Sequence, residues 1–332
     1  MAGKVRELAW SLSRGRMFEE CPRRFYYHYY FSQAGYAPEA PEEAKLALEM
    51  KRIKGLDMWV GEVVHDTIQW VLEQAQSGTV PSEQDAKSEA RRRLSEGWQG
   101  SLKQLWRLQS DEQYPNLFDH YYSLQVGKAS TDRLKEKTFV SMRNFMDSDI
   151  LKQIAATPAD CWLPIDRFAS FRIDGLLMYA KFDFALKDGE RLTVYDWKTG
   201  KPTQDEIRQL ACYAMYTSNK WEVPVENIKV CAVHLQPALE VNERLVDEVD
   251  IDDVRSFIKQ SFNAMVKCLR NPARNLAVMD DFAMTGNLMR CRSCNFKGIC
   301  EQAKAASGDM EDSPAAEDWE GVDMTLLEPP DV

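Results

Sequence analysis

Two carboxylates, one lysine, one amide and one phenol lie close together between residues 176 and 216, in the stretch LLMYAKFDFALKDGERLTVYDWKTGKPTQDEIRQLACYAMY. Asp196 and Lys198 are two apart in a β-type run, Leu192–Lys198, so they share a face and Trp197 takes the other. Asp183 sits on the preceding run, Leu176–Leu186, and reaches the same face if the two runs pair as a hairpin through the Asp188-Gly189 turn signal. Gln209 and Tyr213 are four apart, on one side of a helix. Metal-assisted phosphodiester hydrolysis wants such a set. Carboxylates hold a hard divalent cation through oxygen. The cation polarises a phosphoryl oxygen and acidifies water. A lysine beside it offsets charge growing on the phosphorus centre. Asp-Trp-Lys alone would equally suit the charged end of a surface hairpin. The upstream Asp183, the Thr199-Gly200 turn and the Gln-x-x-x-Tyr spacing argue for a site instead.

These residues need a scaffold, and the flanking sequence predicts one. Leu163–Ile173 begins the sheet, and Asp174-Gly175 turns it into the central hairpin. Asp174 is a rival metal ligand, but the glycine after it makes it a turn residue. Thr203-Gln-Asp-Glu206 reads as a capping box that opens the Gln209 helix. Asn227–Gln236 and Leu239–Val246 form a further hairpin around Pro237, and Asp252–Leu269 an amphipathic helix. Upstream, Val60, Val64, Ile68, Val71 and Leu72 recur at helical spacing over Trp59–Gln76, with Gly61 and His65 one turn apart. On spacing alone His65 is a boundary residue of that stripe. Residues 82–160 read as helical and polar, with a second helix over Leu134–Ala155. Their Arg91-Arg92-Arg93, Lys103, Arg107, Trp98 and Trp106 can contact a single strand or form a solvated charged face. Near the start, Ser13 can cap a short helix ending at Cys21, before Pro22. Arg23, Arg24 and the aromatics after them suit either a nucleic-acid strand or the core.

Asp183, then Asp196-Trp197-Lys198-Thr199-Gly200, then Gln209-x-x-x-Tyr213 resembles the core of the PD-(D/E)XK nuclease superfamily, in its RecB-like branch. That branch includes the nuclease domains of bacterial recombination helicase-nucleases and the CRISPR adaptation nucleases. The family usually has Gly three residues before the first Asp; Ala180 stands there. The resemblance implies an α/β, restriction-endonuclease-like fold with a central mixed β-sheet flanked by helices. Gly61-x-x-x-His65 matches a family motif whose histidine is a metal ligand. By the same likeness His65, Asp183, Asp196 and the Trp197 carbonyl would hold Mg²⁺ or Mn²⁺. Lys198 would position the water, while Gln209 and Tyr213 would steady the lysine and contact the DNA backbone. The implied activity is DNA hydrolysis, as an exonuclease on single strands or ends. The alternative is a DNA-end-binding subunit of a larger helicase-nuclease or adaptation complex, with a protein partner deciding the outcome.

The eight cysteines divide into two kinds. Cys212, Cys231 and Cys268 fall in apolar periodic contexts. Cys291, Cys294 and Cys300 form a C-x2-C-x5-C array that needs a fourth ligand, and Cys21 suits it better than Cys161. Spacing allows zinc or iron–sulfur. AddB-type and CRISPR adaptation nucleases carry one cysteine before the nuclease core and three after it, so the resemblance implies a [4Fe-4S] cluster that staples the end segments together.

The chain has 332 residues and 44% hydrophobic content, enough for one large domain with an insertion. We divide it into a nuclease domain over 1–306, with a helical insertion at 78–160 and cluster segments at 21 and 291–300, and an acidic tail over 307–332 that composition predicts to be disordered. That tail holds nine acids and no Lys or Arg, and so accounts for all but one of the −10 net charge. A near-neutral body can still carry a basic groove. No run approaches a membrane span of about 18 apolar residues, and the first 20 residues lack a signal peptide's apolar segment. Clustered thiols fit a reducing, cytoplasmic compartment.

Overall fold

Strict alternation along the hairpin over residues 184–198 sets the architecture. In this computed structural model, which describes residues 7–108, 113–163, 169–203 and 205–307, Phe184–Asp188 pairs antiparallel with Arg191–Lys198, Asp188 opposite Arg191. Leu192 and Val194 face one layer of core, Tyr195 and Trp197 the other. Both faces are therefore covered, as a sheet with parallel strands requires. The Glu206–Trp221 helix covers the first face and crosses over to Ile228–His234, which lies parallel to Arg191–Lys198 with Lys198 opposite His234. Glu240–Leu245 pairs antiparallel beyond it and completes a four-stranded mixed sheet. The Leu56–Gln76 helix covers the second face through Val64, Ile68, Val71 and Leu72. Lys198 ends its strand at the carboxyl edge of the parallel pair, where open α/β sheets bind ligands. The acidic tail lies outside the described residues, as do residues 164–168 of the expected first strand.

The run expected over Leu176–Leu186 is two strands in two sheets. Leu176–Ala180 pairs antiparallel with Ala169–Ile173 and parallel with Ala9–Trp10. The chain then bends through Lys181–Asp183 before it enters the four-stranded sheet at Phe184. Burial of Phe182 against Tyr213, Tyr216 and Trp221 fixes the bend. It also leaves the Asp183 carboxylate free to take the Trp197 N–H at 2.8 Å.

The second expected helix, Leu134–Ala155, is also divided, into Lys128–Met146 and Asp149–Ala156. Ser148 breaks it by accepting the Leu151 N–H on its hydroxyl, an N-cap in place of a helical turn. The Glu83–Leu102 and Lys128–Met146 helices pack on the His65 helix around Trp59, Leu94, Trp98 and Leu134. Trp98 is wholly buried and Trp106 nearly so, which removes both from any strand-stacking role. Arg92 and Arg93 are drawn into ion pairs with Glu89, so the charged-face reading holds there.

Two caps differ from expectation. Ser11, not Ser13, accepts the Arg14 N–H and opens the Leu12–Glu20 helix. The Thr203–Glu206 box does not form: the helix begins at Glu206, whose carboxylate turns inward to His234 Nε2 at 3.0 Å. That carboxylate faces the buried imidazole instead of returning to the backbone as a cap. The Asp174-Gly175 turn is present, with Asp174 paired to Lys259 and away from the 184–198 hairpin. The predicted amphipathic helix spans Glu248–Lys267, opened by an Asp247–Asp250 capping box that carries its start back from Asp252.

Candidate active site

His65, Asp183, Asp196, Lys198, Gln209 and Tyr213 converge at the carboxyl edge of the sheet. Asp183 lies one residue before its strand, and its N–H meets the Tyr195 carbonyl at 3.3 Å, so the hairpin register carries it opposite Asp196. Its Oδ2 accepts from Trp197 N, and its Oδ1 is 2.8 Å from His65 Nδ1. The His65 helix can come this close because Gly61, one turn earlier, has no side chain. A Cβ there would stand 3.2 Å from Thr199 Oγ1.

On the other side a closed ring of contacts holds the lysine. Lys198 Nζ donates to Gln209 Oε1 at 2.6 Å, and Gln209 Nε2 donates to the Tyr213 hydroxyl at 2.7 Å. Tyr213 donates to Asp196 Oδ1 at 3.1 Å. Lys198 Nζ closes the ring in an ion pair with Asp196 Oδ2, although that oxygen accepts no well-directed hydrogen bond. Tyr213 is only 4% exposed and spends its hydroxyl inside the ring, so it fixes Asp196 and Gln209. The Trp197 ring points away, into the core against Phe145 and Tyr195.

The electrostatics divide the two carboxylates. Burial, then the charge of Asp183, pushes the Asp196 acid up to about 6 against the pull of Lys198. Burial acts on Asp183 in the same direction, but the His65 ring beside it and the Trp197 N–H outweigh it and hold this acid below the usual range. Burial alone would lower the His65 pKa; Asp183 more than offsets it and the net shift is upward. Tyr213, buried and facing both carboxylates, stays a phenol.

The site opens into a cleft of about 1790 Å³ lined by His65, Asp183 and Gln209 on one side and by Arg14, Tyr29 and Tyr179 on another. The N-terminal aromatics divide between the two roles offered for them. Phe25 and Tyr27 are core, whereas Tyr29 and Tyr30, both within a wide π-helical turn over Tyr27–Phe31, line the cleft.

Cys21, Cys291, Cys294 and Cys300 line one separate cavity of about 200 Å³. Cys161 is elsewhere, beside Asp160 and Asp188. Arg24 N donates to Cys21 Sγ at 3.4 Å and Gln302 Nε2 to Cys291 Sγ at 3.2 Å. Protein contacts already join the two end segments here. Arg23 N donates to the Ala283 carbonyl at 3.0 Å, Arg24 Nε to Asn295 Oδ1 at 3.2 Å, and Phe282 packs on Phe25 and Tyr26. Among the described residues, no three His, Cys, Asp or Glu side chains are already gathered to the spacing that grips a single metal ion.

One pair near the site had no signal in the sequence. His234, opposite Lys198 on the neighbouring strand, is 3.0 Å from Glu206 and its Nδ1 is 3.3 Å from the Gly200 carbonyl. It ties the start of the Gln209 helix to the turn after Lys198. A strand histidine facing a helix glutamate six residues beyond a turn has no periodicity to mark it.

The PD-(D/E)XK nuclease superfamily model matches residues 9–301. No curated protein is matched. Among solved structures, one described as the crystal structure of SSO0001 is similar over 53% of this chain and 80% of its own, at 14% identity and a TM-score of 0.26, a likeness too weak to extend to this chain.

Proposed function

The chain belongs to the PD-(D/E)XK nuclease superfamily, and from that premise we propose that it is a metal-dependent DNA nuclease acting as an exonuclease on single strands or ends. The observation that carries the reading is the convergence of two buried carboxylates, a histidine and a ring-held lysine at the head of a basic, aromatic cleft. The donor set fits a hard cation: an acid raised to about 6 by burial and a second carboxylate is a charge surplus that a divalent ion relieves. His65, Asp183, Asp196 and the Trp197 carbonyl would hold Mg²⁺ or Mn²⁺, which supplies polarisation of the scissile phosphate and acidification of water.

The chain's own groups do the rest. Lys198 holds the attacking water by hydrogen bond and offsets the negative charge that develops on the phosphorane. Gln209 accepts from that ammonium beside its ion pair with Asp196 and so fixes its direction, and Tyr213 keeps Gln209 turned toward it. The Trp197 N–H on Oδ2 fixes the Asp183 carboxylate with its Oδ1 turned to His65. Arg and aromatic side chains along the cleft carry the strand.

We also read the cysteine cavity as a [4Fe-4S] site. Cys21, Cys291, Cys294 and Cys300 line one cavity of about 200 Å³, and two of their sulfurs accept N–H donors, as cluster thiolates do.

Labelled single-stranded DNA offered linear, 5′-blocked, 3′-blocked and circular tests the nuclease reading. Linear strands are expected to shorten with Mn²⁺ and circles to survive. Circles cut as fast as linear strands would overturn exonuclease action, and cutting in EDTA would overturn metal dependence.

A further inference from the structure

The wall of the cleft carries a feature the metal chemistry does not use. The Arg14 guanidinium lies 4.4 Å from the centroid of the Tyr29 ring and 5.1 Å from that of Tyr179. Its Nη1 donates to the Ala9 carbonyl at 2.9 Å. The two rings flank the guanidinium, and a side-chain hydrogen bond with Tyr29 helps to fix it there. Arg14 pairs with no carboxylate among the described residues, unlike Arg16, which meets Asp205 at 2.8 Å, and Arg93, which meets Glu89. Its charge therefore remains available to the cleft.

Tyr179 is the second part. It alternates outward on Leu176–Ala180, between the buried Met178 and Ala180, and is 37% exposed. The parallel neighbour Ala9–Trp10 ends opposite Met178, one residue short of it, so no strand covers the ring on that side. It also stands four residues before Asp183, on the same stretch of chain that turns into the candidate active site. Leu176 and Leu177 on the same strand are half-buried, and Tyr179 is the exposed residue among its five.

We propose that Arg14 and Tyr179 form a nucleotide subsite of the cleft, in which Tyr179 stacks on one base of a single DNA strand and Arg14 binds the adjoining phosphate. Tyr29 serves as the platform that holds Arg14 in place. The subsite rests on the nuclease reading and adds to it a requirement for an unpaired base near the cut, since a base inside a duplex has no open face to offer a ring.

The test measures binding of a fluorescent 20-nucleotide single strand, and of an abasic strand of equal length, to the full chain carrying Lys198→Ala in Mn²⁺. Adding Tyr179→Ala is expected to weaken the base-bearing strand between about 5- and 150-fold and the abasic strand less than about twofold. Tyr179→Phe should restore binding. Arg14→Ala should weaken both strands alike and lower the salt slope by about 0.7, the share of one phosphate. Equal effects of Tyr179→Ala on the two strands, or none on either, would overturn the subsite. If that parent binds neither strand and the wild type cuts none, the nuclease reading fails with it. Cutting by wild type together with an indifferent Tyr179→Ala removes the subsite alone.

Discussion

Replacing Asp196 by Asn should make the metal-free protein more stable while ending its activity. Asp196 is 5% exposed, and its acid stands at about 6 against an ordinary 3.8. The difference is worth about 3 kcal/mol of unfavourable ionisation in the folded state at pH 8. The sign follows from proton counting. Between the two values the native state holds a proton that the unfolded state has lost, so stability falls as pH rises through that window. Above it the penalty is complete. Asn cannot ionise and keeps the shape, and the attraction of Lys198 is already included in the net shift. Urea unfolding in EDTA at pH 8 should therefore show Asp196→Asn more stable by up to about 3 kcal/mol, or roughly 5 °C in Tm for a chain of this size. Saturating Mn²⁺ should reverse the order. The wild type gains about 4.1 kcal/mol at a thousandfold excess over Kd, more than the variant's advantage, and the variant gains little. A variant less stable than wild type in EDTA would refute this reasoning, since it would make Asp196 an ordinary structural partner of Lys198 and Tyr213.

Further outcomes follow from the same geometry. Tyr213→Phe removes the hydroxyl between Gln209 and Asp196 and should lower kcat roughly 10- to 100-fold, the worth of a hydrogen bond to a charged group, with KM little changed in steady-state assays. The apparent Mn²⁺ affinity, followed by calorimetry, should weaken by more than about tenfold from pH 7 to pH 5, because protons compete for Asp196 below about 6 and also for His65, whose pKa Asp183 raises. Cys294→Ser should abolish the brown absorbance expected of an iron–sulfur protein and lower Tm, whereas Cys161→Ser should change neither, as visible spectra and thermal scans would show.

Much of the candidate site could be read from local spacing because its geometry is local. Two-residue alternation places Asp196 and Lys198 together and Trp197 opposite, and four-residue spacing places Gln209 with Tyr213; both periods survive in the folded chain. Cys21, Cys291, Cys294 and Cys300, grouped by their spacing in the sequence, line one cavity. What escaped depends on neighbours distant in sequence. The bend at Lys181–Asp183 splits one apolar run between two sheets, and only Phe182 meeting Tyr213 and Trp221 reveals it. Trp98 looked available beside arginines until its helix packed on Trp59. Glu206 had a good local partner in Thr203 and took a buried one in His234.

The central claim is that the ion pair of Lys198 and Asp196, facing Asp183 and His65, is a centre for cutting phosphodiester bonds. Cleavage of an end-labelled single strand by wild type and by Lys198→Ala, each with Mn²⁺ and with EDTA, tests it most directly. The account predicts cutting by wild type with Mn²⁺ and a loss of at least a hundredfold in the other three reactions; equal cutting by wild type and Lys198→Ala would contradict it.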